Sequence, residues 1–339
     1  MRLFGRKSEP VDSGALIADF WGWWDDTRAQ LDAGDAEALA ELVGPAVAAM
    51  DDSLVWEVAP GREARHALVV SAAGNPELRS FVHRWALAAP AADEEWEFHP
   101  SRQARPDPYE LTLQLNGHQF TMEGFVLGVR VPPGTPRVNV TAYHPIFQDI
   151  DDEARMETTL LALDWLLGED EVARWLGDIE AAEFEPLDAI AAIHLPGVVA
   201  DVASGFQGER WALLEGQAPT GKRLTATARY PLRPVDYPLY DQHIAITVQY
   251  RAKDGDGMPT GASETALETF GEQLAATLAD QPAVLAAHMT VDGVRTFHIY
   301  ADPTGTTTTA LKTLSWPEGR LRIGVTSDPS WSTVAHFLA

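Results

Sequence analysis

The stretch VLAAHMTVDGVRTFHIYA, residues 284–301, alternates apolar and polar side chains on either side of Asp292-Gly293. Asp-Gly between two period-two runs is a strong hairpin signal, because a two-residue type I′ turn needs positive φ at both central positions. The hairpin is therefore expected to run from Val284–Val291 into Val294–Ala301. In that register His288 stands opposite Phe297 and His298 opposite Ala287. The two imidazoles then project from opposite faces of the sheet and cannot chelate one ion; only a bulge that slips one strand would bring them together. One face would carry His288, Thr290, Arg295, Phe297 and Ile299. The other would carry Leu285, Met289, Thr296, His298 and Tyr300.

Working outward, a strand over 242–251 leads into a helix opened by Ser263 and carrying Leu267, Phe270, Leu274 and Leu278. After the hairpin come a helix near 304–314 and a strand near 320–326. The order is βαββαβ, the split-βαβ or ferredoxin-like arrangement. Two further strands, 210–215 and 223–231, precede it, so the C-terminal domain is expected over 209–339. Such a sheet buries one face under its two helices and leaves the other for a second domain or a ligand. The candidate binding surface is accordingly His288, Arg295, His298, Tyr300, Asp302 and Trp331.

The first half reads as a separate α+β domain over 15–185, an antiparallel sheet with helices on one face. Helices are expected at 15–31, 35–50, 75–90 and 151–167, and strands at Leu54–Ala59, Ala67–Ala72, 109–115, 124–131, 137–143 and 178–184. Asn75-Pro76-Glu77 has the cap, first-position proline and first-turn acid of a helix start. Asn116-Gly117 marks a hairpin turn. Residues 1–14 are polar and expected to be a flexible N-terminus. Residues 186–208 are read as a connector, with a short apolar helix ending near Ser204-Gly205. Trp21, Trp23 and Trp24 beside Phe20 make a stripe wider than a normal apolar face. It reads as core or domain packing with one ring at an edge, or as an exposed recognition stripe.

The 339 residues include 25 Lys+Arg, 50 Asp+Glu and no cysteine. Disulfides, thiolate metal sites and cysteine nucleophiles are excluded. Acidity is concentrated in residues 1–200, with 14 Lys+Arg against 35 Asp+Glu, while residues 201–339 hold 11 against 15. A surface of that sign repels phosphate backbones, so no nucleic-acid partner is expected. It suits a basic protein partner, or serves solubility alone. No run approaches the ~20 apolar residues of a membrane span, and no apolar core follows the basic residues Arg2, Arg6 and Lys7. A cytoplasmic protein with no membrane partner is expected; oligomeric state is left open.

No GxGxxG, Walker loop, His-Glu-x-x-His or Gly-x-Ser-x-Gly motif occurs. Glu63-x-x-His66 has the spacing of half a di-iron ligand set, but it lacks a second copy and a helix to carry it. Asp149-x-Asp151-Asp152-Glu153 reads as helix N-terminal charge compensation, or as a hard-cation site short of ligands. Asp254-Gly255-Asp256-Gly257 resembles the start of a calcium loop without its downstream glutamate, and otherwise an acidic turn. No metal and no cofactor are expected.

The second half resembles an uncharacterised bacterial family, numbered 695 among the domains of unknown function. The likeness runs from Trp211 and Gly221-Lys222-Arg223 through Pro259 and Gly261. It is most specific in Gly293-x-Arg295-x-Phe297-x-x-Tyr300-x-Asp302, and it ends in Asp328-Pro329-x-Trp331 and Phe337-Leu338. The resemblance implies a ferredoxin-like module similar to the ribonuclease E inhibitor type of fold, whose members bind a protein rather than catalyse. The first half is similar to another uncharacterised bacterial group through Val69-Val70-Ser71-Ala72, Ala89-Pro90, Trp96, Arg102 and Ala162-Leu163-Asp164-x-x-Leu167-Gly168. Two functional readings follow. The first is a non-catalytic protein-binding or regulatory module. The alternative is a hydrolase-type enzyme using His298, Tyr300, Arg295 and Asp302, or a small-ligand sensor, with an interdomain cleft.

Overall fold

Residues 13–115 and 117–338 are described by the computed structural model. Residues 1–12 of the expected flexible segment and Asn116 of the expected turn lie outside them. Gly117, at φ 86°, has the left-handed backbone such a turn needs. The architecture is α+β and divides into two units, Met1–Arg102 and Gln103–Ala339.

The first unit contains α1 (Ser13–Thr27), α2 (Ala36–Ala48), β1 (Val55–Pro60), β2 (His66–Ser71), α3 (Arg79–Leu87) and β3 (Trp96–His99). Asp35 caps α2, its carboxylate accepting the Ala38 amide. β2 is central, antiparallel to β1 and parallel to β3. A mixed sheet therefore stands where an antiparallel one was expected, since α3 supplies the crossover that parallel strands require. The tryptophans close the core. Trp24 is fully buried against Trp96 and Phe98, Trp21 stacks on Trp85 at 4.9 Å, and Trp23 lies half-buried at the edge.

In the second unit, β4 (Thr112–Leu115) and β5 (His118–Thr121) form a hairpin. Then follow β6 (Val126–Arg130), β7 (Val138–Tyr143), α4 (Asp152–Leu167), α5 (Glu169–Trp175), β8 (Leu176–Ala181), β9 (Ile190–Ala191) and α6 (Leu195–Gly205). The sheet order is β8-β7-β6-β9, with β8 parallel to β7. Val138, Val140 and Ala142 point into a core shared with Leu163 of α4 and with Leu195 and Val199 of α6. The stretch expected as a connector thus contributes a core helix, because an 11-residue segment with this apolar face has surface to bury. Residues 15–185, expected to form one domain, contain two separate apolar cores.

The chain continues through β10 (Trp211–Gln217), β11 (Arg223–Arg229), β12 (Gln242–Gln249), α7 (Gly261–Leu278), β13 (Ala283–Val291), β14 (Val294–Ala301), α8 (Thr307–Leu311) and β15 (Arg322–Ser327). Their order in the sheet is β10-β11-β13-β14-β12-β15, antiparallel throughout. The last four strands of the βαββαβ succession lie fourth-first-third-second, and β11 and β10 extend the edge beyond β13. Ile244, Ile246, Phe297 and Ile299 pack under α7 and α8.

Candidate functional site

The hairpin register matches the sequence reading at its tip, with His288 opposite Phe297 and Ala287 opposite His298. A bulge between Leu285 and Ala287 then shifts the pairing, and Leu285 faces Ile299. Leu285 therefore joins the helix-covered face and packs against that core, instead of sharing a face with His298. The bulge lies on the far side of Ala287 from the turn, so the two histidines stay on opposite faces.

The six candidate residues divide accordingly. His288 and Arg295 lie on the helix side, where Arg295 Nε donates to Thr290 Oγ1 at 2.8 Å. Burial, and then the Arg295 charge, bring His288 down to about 4. His298, Tyr300 and Trp331 lie on the other side. That face is not open: the segment Leu232–Tyr240 and the C-terminal turn Ser332–Phe337 cover it with Leu232, Tyr237, Trp331, Val334 and Phe337. Tyr300 is fully buried and Trp331 stacks on it at 3.8 Å. Asp302 accepts the Thr304 amide and hydroxyl in the turn after β14. The expected surface is thus split by the sheet, and half of it is interior. The proposed hydrolase set fares no better, since Arg295 and His298 face apart.

Beneath that cover is a polar cluster. Tyr300 Oη donates to Asp328 Oδ2 at 2.5 Å, and the Asp328 carboxylate also accepts the Ser332 amide and hydroxyl and the Thr333 amide. Burial raises the Asp328 carboxyl, but these donors, Tyr300 first, outweigh it and hold it at about 2. His243 Nε2 lies 3.1 Å from His298 Nδ1. Burial and then the neighbouring His243 and His336 bring His298 down to about 4, and burial lowers His243 as well. Four donors converge on one carboxylate, so the arrangement latches the tail to the sheet. It is an internal brace.

Other predicted features settle into structural roles. Asp151 caps α4 through the Ala154 amide, and Asp254 closes its own turn by accepting the Asp256 and Met258 amides. The amides of Arg62, Glu63 and Ala64 bind Glu97, a residue the sequence reading passed over. Burial raises the Glu97 carboxyl, but those amides and His99 hold it at about 2. Among the described residues no group of three or more His, Asp or Glu is placed to hold a metal ion. No helix among them is long and apolar enough to cross a membrane.

A concave site does occur, on the outer face of the β8-β7-β6 sheet. Alternation that sends Val138 and Val140 inward sends Asn139 and Thr141 outward. Arg130 pairs with Asn139 and Gly128 with Thr141, while Thr141 pairs with Glu180 across the parallel side. Asn139 Nδ2 donates to Asp178 at 2.9 Å and Thr141 Oγ1 to Glu180 at 3.2 Å. Pro186 and Asp188 close the rim, giving a groove of about 380 Å³ in which Arg130 is the only lining cation among the described residues. Gly128 forms part of the floor: a Cβ there would approach Pro186 to 3.1 Å. Residues 178–188 carry Asp178, Glu180, Glu183, Glu185 and Asp188 and no Lys or Arg. Among these acids Phe184 and Leu187 are exposed, Leu187 completely. The sequence signal was available in two polar pairs two apart, Asn139/Thr141 and Asp178/Glu180, but the strand pairing that joins them was not.

Together these features define an α+β protein whose second unit combines a braced six-stranded sheet with an acidic groove. Residues 231–339 match the model of a family of unknown function, DUF695. That match covers Tyr300, Asp328 and Trp331 and leaves Trp211 and Lys222 outside it. No curated protein and no solved structure matches the chain.

Proposed function

We propose that the chain is a cytoplasmic, non-catalytic protein-binding module that receives a basic, extended segment of its partner in the groove over β6, β7 and β8. The observation that carries this reading is that Asp178, Glu180 and Asp188 line a concave floor, and the segment that supplies them also carries Glu183, Glu185 and the exposed Phe184 and Leu187. Carboxylates steer a cationic chain and fix its register, while exposed aromatic and aliphatic side chains supply the desolvated anchors that yield affinity. The ferredoxin-like reading of the C-terminal sheet, whose strand order fits it, supports a binding role by resemblance. A fold alone does not assign one.

The test is fluorescence polarisation with labelled peptides that alternate Lys or Arg with apolar residues, compared at about 0.05 M and about 0.5 M salt. Binding is expected to weaken tenfold or more in salt and in the Asp178→Asn/Glu180→Gln variant, and separately in Phe184→Ala. Peptides held equally well by all three proteins would count against the groove. A small cationic ligand is the second reading, because about 380 Å³ falls within the range of small-molecule sites. Calorimetry with simple diamines and arginine separates it from peptide binding.

A further inference from the structure

The six-stranded sheet ends on β10, and among the described residues the hydrogen bonds of that strand engage one side. Tyr230 N donates to Arg210 O and Ala218 N donates to Lys222 O, each at 2.9 Å. The pairing between them is unbroken. In an antiparallel ladder, hydrogen-bonded pairs alternate, so the even residues 210–218 face β11. The N–H and C=O groups of Trp211, Leu213, Glu215 and Gln217 therefore point away from the sheet. Natural edge strands are ordinarily protected by charge, proline or a bulge. β10 instead exposes Leu213 at 68%, with Trp211 and Leu214 each at 40%. These three side chains lie on both faces of the strand.

Charge selects the occupant. Glu215 is paired with Arg223 at 2.7 Å and Glu209 with Arg229 at 3.3 Å. Residues 208–230 hold four Lys+Arg and two Asp+Glu in a chain of net charge −25. Two copies repel over most of their surface, but at this edge each acid is already matched. A twofold axis through an antiparallel strand pair must relate residues of the same face. Centring it on Ala212 would set Glu209 against Glu215 of the second copy, and centring it on Leu214 would set Leu213 against Glu215. Centring it on Leu213 sets Leu213 against itself, Ala212 against Leu214, and Trp211 against Glu215, while the indole N–H stays on Glu209 of its own chain at 2.9 Å. Of the three registers the last alone sets no carboxylate against another carboxylate or against Leu213.

We infer that β10 is a self-association edge: two copies pair antiparallel about Leu213 and continue one sheet through twelve strands. The pairing is independent of the groove and stands whether or not a basic segment binds there. Sedimentation of the full chain is expected to show a dimer at about 100 μM that dissociates on dilution. Leu213→Glu and Leu213→Lys each place like charges across the axis and are expected to weaken the dimer at least tenfold. Mixing the two variants is expected to restore it as a heterodimer. Leu213 is mostly solvent-exposed, so both variants retain their packing. Amide exchange in the natural chain supplies a second readout, with Trp211, Leu213 and Glu215 slowing as concentration rises. A chain monomeric at about 100 μM, a dimer that neither variant disturbs, or amides indifferent to concentration would each overturn the inference.

Discussion

Trp331 holds a left-handed backbone, φ 57° and ψ 32°, which a bulky side chain adopts at a cost of about 1–3 kcal/mol. The surroundings explain why it persists. The indole lies parallel to Tyr300, its Nε1 donates to Tyr240 O at 2.8 Å, and Asp328 ties down the two residues that follow. Replacing Asp328 with Asn keeps the shape but puts an amide group where only donors point. Stability is expected to fall by about 2–3 kcal/mol, read as a lower urea midpoint. Tyr300→Phe removes one donor of four and is expected to cost about 1 kcal/mol. If both cost the same, Asp328 is not the hub. Tyr300 and Trp331 stood in the candidate surface and Asp328 only in the family pattern, and nothing in the sequence joined the three or gave their purpose. Nothing in the spacing of a strand says that a distant earlier segment, Leu232–Tyr240, and the later tail, Ser332–Phe337, will fold over it, and partial polarity on both faces of the hairpin left either one open.

At the scale of elements, the βαββαβ succession was readable because its helices and strands have clean periods and Asp292-Gly293 fixes a register. The bulge was not, since an extra Ala286 in a run of small apolar residues leaves no mark on the alternation. α5 and β9 were missed for a related reason: seven and two residues are too short to show a period. The sheet also sets a pH response. His243, His288 and His298 are depressed below 6.5, the latter two to about 4. Between about pH 6.5 and 4 the unfolded chain binds protons that the folded sheet refuses, so stability falls with pH across that window. At one pKa unit per ~1.4 kcal/mol, the histidines together account for a few kcal/mol. Asp328 and Glu97, held at about 2, keep their contribution until lower pH and lose it between their ordinary values near 4 and about 2. Thermal melting from pH 7.5 to 4.5 is expected to show a falling midpoint, with a shallower slope in His298→Gln. An unchanged slope in that variant would assign the response to the other histidines.

For the whole molecule, composition read correctly as a multi-body α+β chain, while the placement of its acids required the fold. Asp151 and the acids opening α5 lie at helix starts, where they meet local dipoles, whereas Asp178, Glu180 and Asp188 line a groove. Each unit has its own apolar core, which predicts that the chain can be cut after Arg102 and both pieces will fold. Six of the eleven tryptophans precede that point, so their fluorescence reports on the first unit. That piece, Met1–Arg102, is the shorter of the two and buries a smaller fraction of its surface, and it is expected to unfold at the lower denaturant concentration. Its emission should nonetheless shift in one cooperative step, because Trp21, Trp24, Trp85 and Trp96 are buried together. Both pieces carry twice as many acids as bases, 18 against 9 and 32 against 16, so added salt should stabilise each by screening self-repulsion. A first piece with red-shifted emission and no transition would mean that its aromatic core forms only with the remaining chain attached.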